Sequence, residues 1–281
     1  MLRIHNFLKQ KNIVPTKINK NNNCYIIDNK YVIKNNFNRD IYKRLNERSF
    51  NYYPNILNSL DDEYLIEEYI PNEFVSEDIK LEEMVELLSL LHNKTTFYKK
   101  VDIGDNKELY ETISNNIVEI FKYYDEIMVD IESKEIYSPS EYTLSKNISL
   151  VFASINKAKN KLDSWYNEIK EIDKLRYTVN HNNLDLSHFI KGDKNYLISW
   201  NRANIDLPIY DIYNFFLNND LDYDLVLEAY LNNSPLLDYE KELLYIFLLI
   251  PPKLKKMDNE YDRTKEVVNM LTKLDKFNTL K

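Results

Sequence analysis

A chain of 281 residues that is 44% apolar and 29% charged holds enough hydrophobic material for a large buried core, which excludes disorder along its whole length. Its formal net charge of −8 is the wrong sign for a duplex nucleic-acid binder, whose phosphate contacts need Lys and Arg clustered on one face. A single cysteine, Cys24, excludes an internal disulfide framework and a multi-cysteine zinc site.

The opening Met1-Leu2-Arg3-Ile4-His5-Asn6 lacks an apolar signal core. The longest apolar run, Leu243 to Ile250, falls far short of the roughly 20 residues that cross a bilayer. The expectation is a cytoplasmic protein without membrane contact. Glycine occurs only at Gly104 and Gly192, so tight turns fall to Asn, which also tolerates left-handed backbone.

In chain order, Cys24-Tyr25-Ile26-Ile27 and Tyr31-Val32-Ile33-Lys34 flank the turn Asp28-Asn29-Lys30 and predict a hairpin. Residues 39–50, with Ile41, Tyr42 and Leu45 on one face, predict one helix closed off before Pro54. Residues 64–70 predict another strand, so residues 1–71 form a small β-rich lobe with one helix. Residues 72–281 then form a larger, mainly helical lobe. Ser76 stands as the N-cap of a helix with Glu77 and Asp78 in its first turn and Leu81, Met84, Val85, Leu88 and Leu91 at helical spacing. Further helices are predicted at 106–128, 139–171, 207–217, 221–231, 239–249 (stopped by Pro251-Pro252) and 258–276. The long stretch 106–171 shows Tyr-rich amphipathic patterns that a core and a partner-facing surface explain equally well. A hairpin-like island at 189–200 turns at Lys191-Gly192-Asp193-Lys194.

The most informative stretch precedes and includes that island: Val179-Asn180-His181-Asn182-Asn183-Leu184-Asp185-Leu186-Ser187-His188-Phe189-Ile190, followed by Tyr196-Leu197-Ile198-Ser199-Trp200. Around it stand Lys34 at the end of a Val-Ile-Lys strand, Tyr64-Leu65-Ile66-Glu67-Glu68-Tyr69-Ile70-Pro71, Leu87-Leu88-Ser89-Leu90-Leu91-His92 and Pro208-Ile209-Tyr210-Asp211. In this order, over nearly the whole chain, they resemble the aminoglycoside phosphotransferase and choline kinase-like branch of the protein kinase fold. The implied fold class is α+β and two-lobed.

The resemblance implies roles. Lys34 would contact nucleotide phosphates, with Asp40, rather than Glu47, as its partner acid because Asp40, Leu45 and Pro54 match the family's spacing. The strand ending in Glu68 and Ile70 would present backbone groups to an adenine edge. His181 would brace the catalytic loop through its backbone, His92 would be structural, and Asp211 would buttress that loop from the next helix. The departures fall on chemistry. Asn183 stands at the catalytic Asp position, and a side-chain amide is not a base at neutral pH. Asp185 is the only carboxylate in the loop and there could act as a displaced base or, as a short Asp in a turn usually does, stabilise the turn. At the metal positions stand His188, which macrolide phosphotransferases of the family tolerate, and Ser199, a neutral hydroxyl where magnesium wants an anionic oxygen. Residues 16–23, where phosphates would approach the backbone, contain no glycine.

No Ser-His-Asp or Cys-His set has a catalytic spacing, and the four histidines give no metal cluster beyond the pair His181 and His188. The reading that follows is a pseudokinase: a binding or regulatory protein with impaired phosphoryl transfer, ATP and magnesium being the implied but weakly held cofactors. Its partner is an unknown small molecule or protein. One alternative is an active ATP-dependent kinase of a small-molecule hydroxyl, such as an aminoglycoside, choline or a sugar, using Asp185 as base and His188 with Asp193 or Asp206 on the metal. Another is a structural coat-type protein with a vestigial cleft.

Overall fold

The computed structural model describes residues 2–21, 24–218 and 223–279. The architecture is α+β. It opens with helix α1 (Leu2–Gln10) and strands β1 (Ile18–Asn21), β2 (Cys24–Ile27) and β3 (Tyr31–Lys34), followed by α2 (Arg39–Glu47) and β4 (Leu65–Glu68). The four strands form one antiparallel sheet in the order β1-β2-β3-β4. Asp28 and Asn29 open the three-residue β2–β3 turn at φ 52° and 51°, left-handed conformations that Asp and Asn tolerate. Cys24 is thereby set opposite Lys34.

Helix α1 was not among the predicted elements, since its apolar content is thin when read alone. Its Ile4, Phe7 and Leu8 are buried against Ile27, Ile33, Tyr64 and Ile66 of the sheet, so tertiary burial rather than propensity stabilises it. Strand β1 also lies in the polar segment expected to be a loop, of which Asn22 and Asn23 lie outside the described residues. Helix α2 starts where Asn38 accepts the N–H groups of Asp40 and Ile41, and it ends earlier than predicted because Ser49 turns left-handed at φ 55°. Phe50, freed from the helix, is fully buried with its ring 5.9 Å from that of Trp200.

Then come α3 (Glu77–Thr95), β5 (Phe97–Lys100), α4 (Ile103–Glu132), α5 (Pro139–Ile169), β6 (Lys174–Asn180), β7 (Phe189–Lys191), β8 (Asn195–Leu197), β9 (Asn204–Asp206), α6 (Ile209–Asn218), α7 (Tyr223–Asn233), α8 (Asp238–Leu249) and α9 (Glu260–Thr279). Ser76 is the N-cap of α3 but its hydroxyl makes no capping bond. The helix predicted at 221–231 is α7, and its first two predicted residues lie outside the described ones. Strands β5, β6 and β9 were not predicted. Polar residues break the apolar pattern of β6, and its buried Thr178 and Asn180 find partners only in the fold: Thr178 Oγ1 donates to Asn180 Oδ1, and Asn180 Nδ2 to the Leu207 carbonyl.

The chain forms two compact units. The first comprises Met1–Tyr98 with Arg176–Pro235, and the second Lys99–Leu175 with Leu236–Lys281. The second is helical: α5 packs on α4, α8 and α9, with Trp165 Nε1 donating to the Tyr239 carbonyl and Ser154 Oγ to that of Leu249. The first contains the sheet, the hairpin β7–β8 and every residue of the candidate site. Among the described residues no helix is long and apolar enough to cross a membrane.

Candidate functional site

The loop after β6 is held by one buried carboxylate. Asp211, in the first turn of α6 and inaccessible to solvent, accepts the backbone N–H of His181 and of Asn182, each at 2.6 Å, and lies 3.1 Å from His92 Nε2. His92 Nδ1 lies 2.7 Å from the Tyr230 hydroxyl, so a chain of buried polar groups joins α3, α6 and α7 to the loop. Asn182 turns left-handed at φ 54°, which lets both N–H groups face the carboxylate.

His181 is fully buried, its ring 4.7 Å from that of Trp200. Its Nε2 donates to the Ile198 carbonyl at 2.8 Å, and its Nδ1 has no hydrogen-bond partner among the described residues. Burial pushes its pKa from 6.5 down to about 4, against an opposing pull from Asp211. The unfolded chain therefore binds the proton that the folded chain refuses. Stability should be complete above about pH 6.5 and fall by about 3 kcal/mol as pH drops toward 4. Imidazole nitrogen chemical shifts at pH 5.5 should show a neutral Nε2–H ring in the folded protein; a charged ring there would sink this assignment.

Beside this loop is a cavity of about 480 Å³ whose wall includes Lys34, Phe37, Asn183, His188, Ser199 and Arg202. The structure thus brings together Lys34, Asn183, His188 and Ser199 from distant parts of the sequence. Ser199 is left-handed, at φ 70°, and Asn183 Nδ2 reaches its carbonyl only at 3.5 Å. His188 Nδ1 donates to the Asn183 carbonyl at 2.5 Å.

Several expected roles change. The acid on Lys34 is Glu67 of β4, 2.5 Å away and 1% exposed, whereas Asp40 is exposed in the first turn of α2. Glu67 also accepts the buried Tyr42 hydroxyl at 2.7 Å, and burial followed by that carboxylate's charge pushes the Tyr42 pKa well above its ordinary value. Lys34 lies opposite Leu65 in the β3–β4 register, so Glu67 is its diagonal neighbour on the same face. Tyr42 and Arg202 were likewise not singled out for the site.

Asp185 does not line the cavity. Its carboxylate accepts the Ser187 N–H at 2.7 Å and caps the 3-10 turn Leu186–His188, and the Ser187 side chain first, then that backbone N–H, lowers its pKa against the opposing effect of burial. The geometry therefore contradicts Asp185 as a displaced base. Asp193 accepts the Tyr196 hydroxyl within the β7–β8 hairpin, Asp206 accepts its neighbour's N–H on Leu207, and neither lines the cavity with His188. Glu68 accepts Asn55 Nδ2, and Ile70 packs so closely on Gly192 that a Cβ there would sit 2.8 Å from its Cγ2; neither lines the cavity.

Magnesium does not fit these side chains. It requires hard anionic oxygens, and the wall offers an amide at Asn183, a hydroxyl at Ser199 and an imidazole at His188. Among the described residues no group of three or more His, Cys, Asp and Glu is placed to hold a metal ion.

No family model matches the chain, and no curated protein matches it in sequence. Solved structures do match it in fold. An aminoglycoside phosphotransferase from Alicyclobacillus acidocaldarius subsp. acidocaldarius DSM 446 shares 9% identity at a TM-score of 0.70, covering 94% of this chain and 90% of that one. The AMP-bound complex of a spectinomycin phosphotransferase shares 13% identity at 0.59 over 100% of this chain and 99% of that one. Its complex with ADP and spectinomycin shares 12% at 0.55 over 99% and 98%. The fold is therefore the protein kinase-like fold of aminoglycoside phosphotransferases.

Proposed function

We propose that this chain is a pseudokinase, a binding or regulatory protein that keeps the phosphotransferase scaffold while its own site cannot support efficient transfer. One observation carries this reading: the cavity that holds Lys34 presents Asn183 and Ser199 where transfer to a hydroxyl calls for a proton acceptor and a metal-binding carboxylate. Asp185 does not make good the loss, because it caps the 3-10 turn.

The scaffold supports the same reading. Asp211, His92 and Tyr230 tie the loop to α6, α3 and α7 through buried hydrogen bonds beside the cavity. The test is a transfer assay with radiolabelled ATP and magnesium, offering spectinomycin, kanamycin and choline as acceptors, with ADP release measured in parallel. No phosphorylated product and no release above buffer is expected. Turnover that survives purification and is lost in Asn183→Ala would overturn the reading.

A further inference from the structure

We infer that the groove between α3 and α7 docks a basic, amphipathic segment of a partner protein, which sets apolar side chains into the groove and Lys or Arg against its rim. None of its residues lines the cavity beside Lys34, so the inference stands apart from the pseudokinase reading.

The groove encloses about 440 Å³ and lies wholly within the first compact unit. Its floor is apolar, with Leu81 and Val85 from α3 and Leu225 and Val226 from α7. Leu225 is 67% exposed, so folding leaves an apolar side chain in water at the place where a partner would cover it. The two walls are tied by a buried hydrogen bond, His92 Nδ1 of α3 lying 2.7 Å from the Tyr230 hydroxyl of α7. A groove tied in this way costs little further ordering when a partner enters.

The rim sets the partner's charge. It carries Asp78, Glu82 and Glu228, and no Lys, Arg or His lines the groove. Along α3 the carboxylates Asp78, Glu82 and Glu86 recur every four residues, about 6 Å apart, a spacing at which like charges repel and weaken a helix. Other helices answer an acid one turn away: Lys107 pairs with Glu111, Lys134 with Asp130, Lys241 with Asp238 and Arg263 with Glu260. Glu83, elsewhere on α3, pairs with Lys191. By contrast Asp78, Glu82, Glu86 and Glu228 are all exposed and make no ion pair among the described residues.

A cationic partner would relieve this repulsion while covering the apolar floor. An uncharged apolar partner would take water from the carboxylates without replacing it, and an acidic partner would be repelled. The surface therefore fits a segment that carries both apolar and basic side chains.

The experiment selects binders to the full chain from a phage library of random peptides and measures one enriched sequence by fluorescence anisotropy. Expected are enrichment of Lys or Arg beside Leu, Ile, Val or Phe, saturable binding of that peptide, and an affinity that falls as salt is raised. Glu82→Lys with Glu228→Lys should weaken the peptide about tenfold, and a peptide with Glu in place of each Lys and Arg should bind that variant and not the natural chain. Leu225→Ser, at an exposed position, should weaken binding severalfold. Circular dichroism confirms that each variant is folded. Recovery of no basic and apolar sequence, affinity indifferent to both variants, or equal binding by a peptide with Ser at every apolar position would overturn the inference, the last by reducing it to unspecific attraction to an acidic protein.

Discussion

Replacing Asp211 with alanine should lower the unfolding free energy by about 3–5 kcal/mol, the range for leaving buried polar partners of a carboxylate unpaired. The carboxylate is inaccessible and accepts two backbone N–H groups at 2.6 Å, with the His92 ring 3.1 Å away. Truncation strands three donors, those of His181 and His92 fully buried and that of Asn182 partly so. Asp211→Asn should recover only part of the loss, since an amide keeps one acceptor oxygen and directs a donor at groups that are themselves donors. Urea unfolding followed by circular dichroism measures both variants. A loss below 1 kcal/mol for alanine would mean that the loop is held by something other than this carboxylate.

The second large effect concerns metal dependence. Asn183→Asp together with Ser199→Asp should raise magnesium-dependent ADP affinity tenfold or more over the natural chain, because each change supplies the anionic oxygen that magnesium prefers. The backbone permits the change, because Ser199 sits at φ 70° and Asp is among the residues that adopt left-handed conformations readily. Little is lost, because the Asn183 amide makes only a long 3.5 Å contact to the Ser199 carbonyl. Calorimetric titrations of ADP with and without magnesium decide it. No gain would show that the cavity does not admit the nucleotide even when both carboxylates are supplied.

These expectations share a physical root with the outcome of reading the chain as a sequence. Local periodicity placed α3 through α9 within a few residues, because each helix carries its own apolar spacing, and the hairpin β2–β3 announced itself by Asp28-Asn29. The His181 to Ser199 segment was visible because loop chemistry is written in consecutive residues. Helix α1 was not visible, since Ile4, Phe7 and Leu8 become a hydrophobic face only when Ile27, Ile33 and Ile66 are there to cover them. Strand β6 was hidden by Thr178 and Asn180, polar residues whose burial depends on bonds closed across the fold.

The site divides along the same line. Sequence by itself determined that no carboxylate stands at 183 or 199, because the identity of a side chain fixes whether it can accept a proton or ligate a hard cation. It also brought Lys34 and His188 forward through their positions in a recognisable order. Tertiary structure alone decided that Lys34 answers to Glu67 and not Asp40, that Asp185 caps a turn, and that Arg202 shares the wall with Lys34. The reason is that pairing depends on strand register and loop direction, which set distances that residue spacing along the chain leaves open.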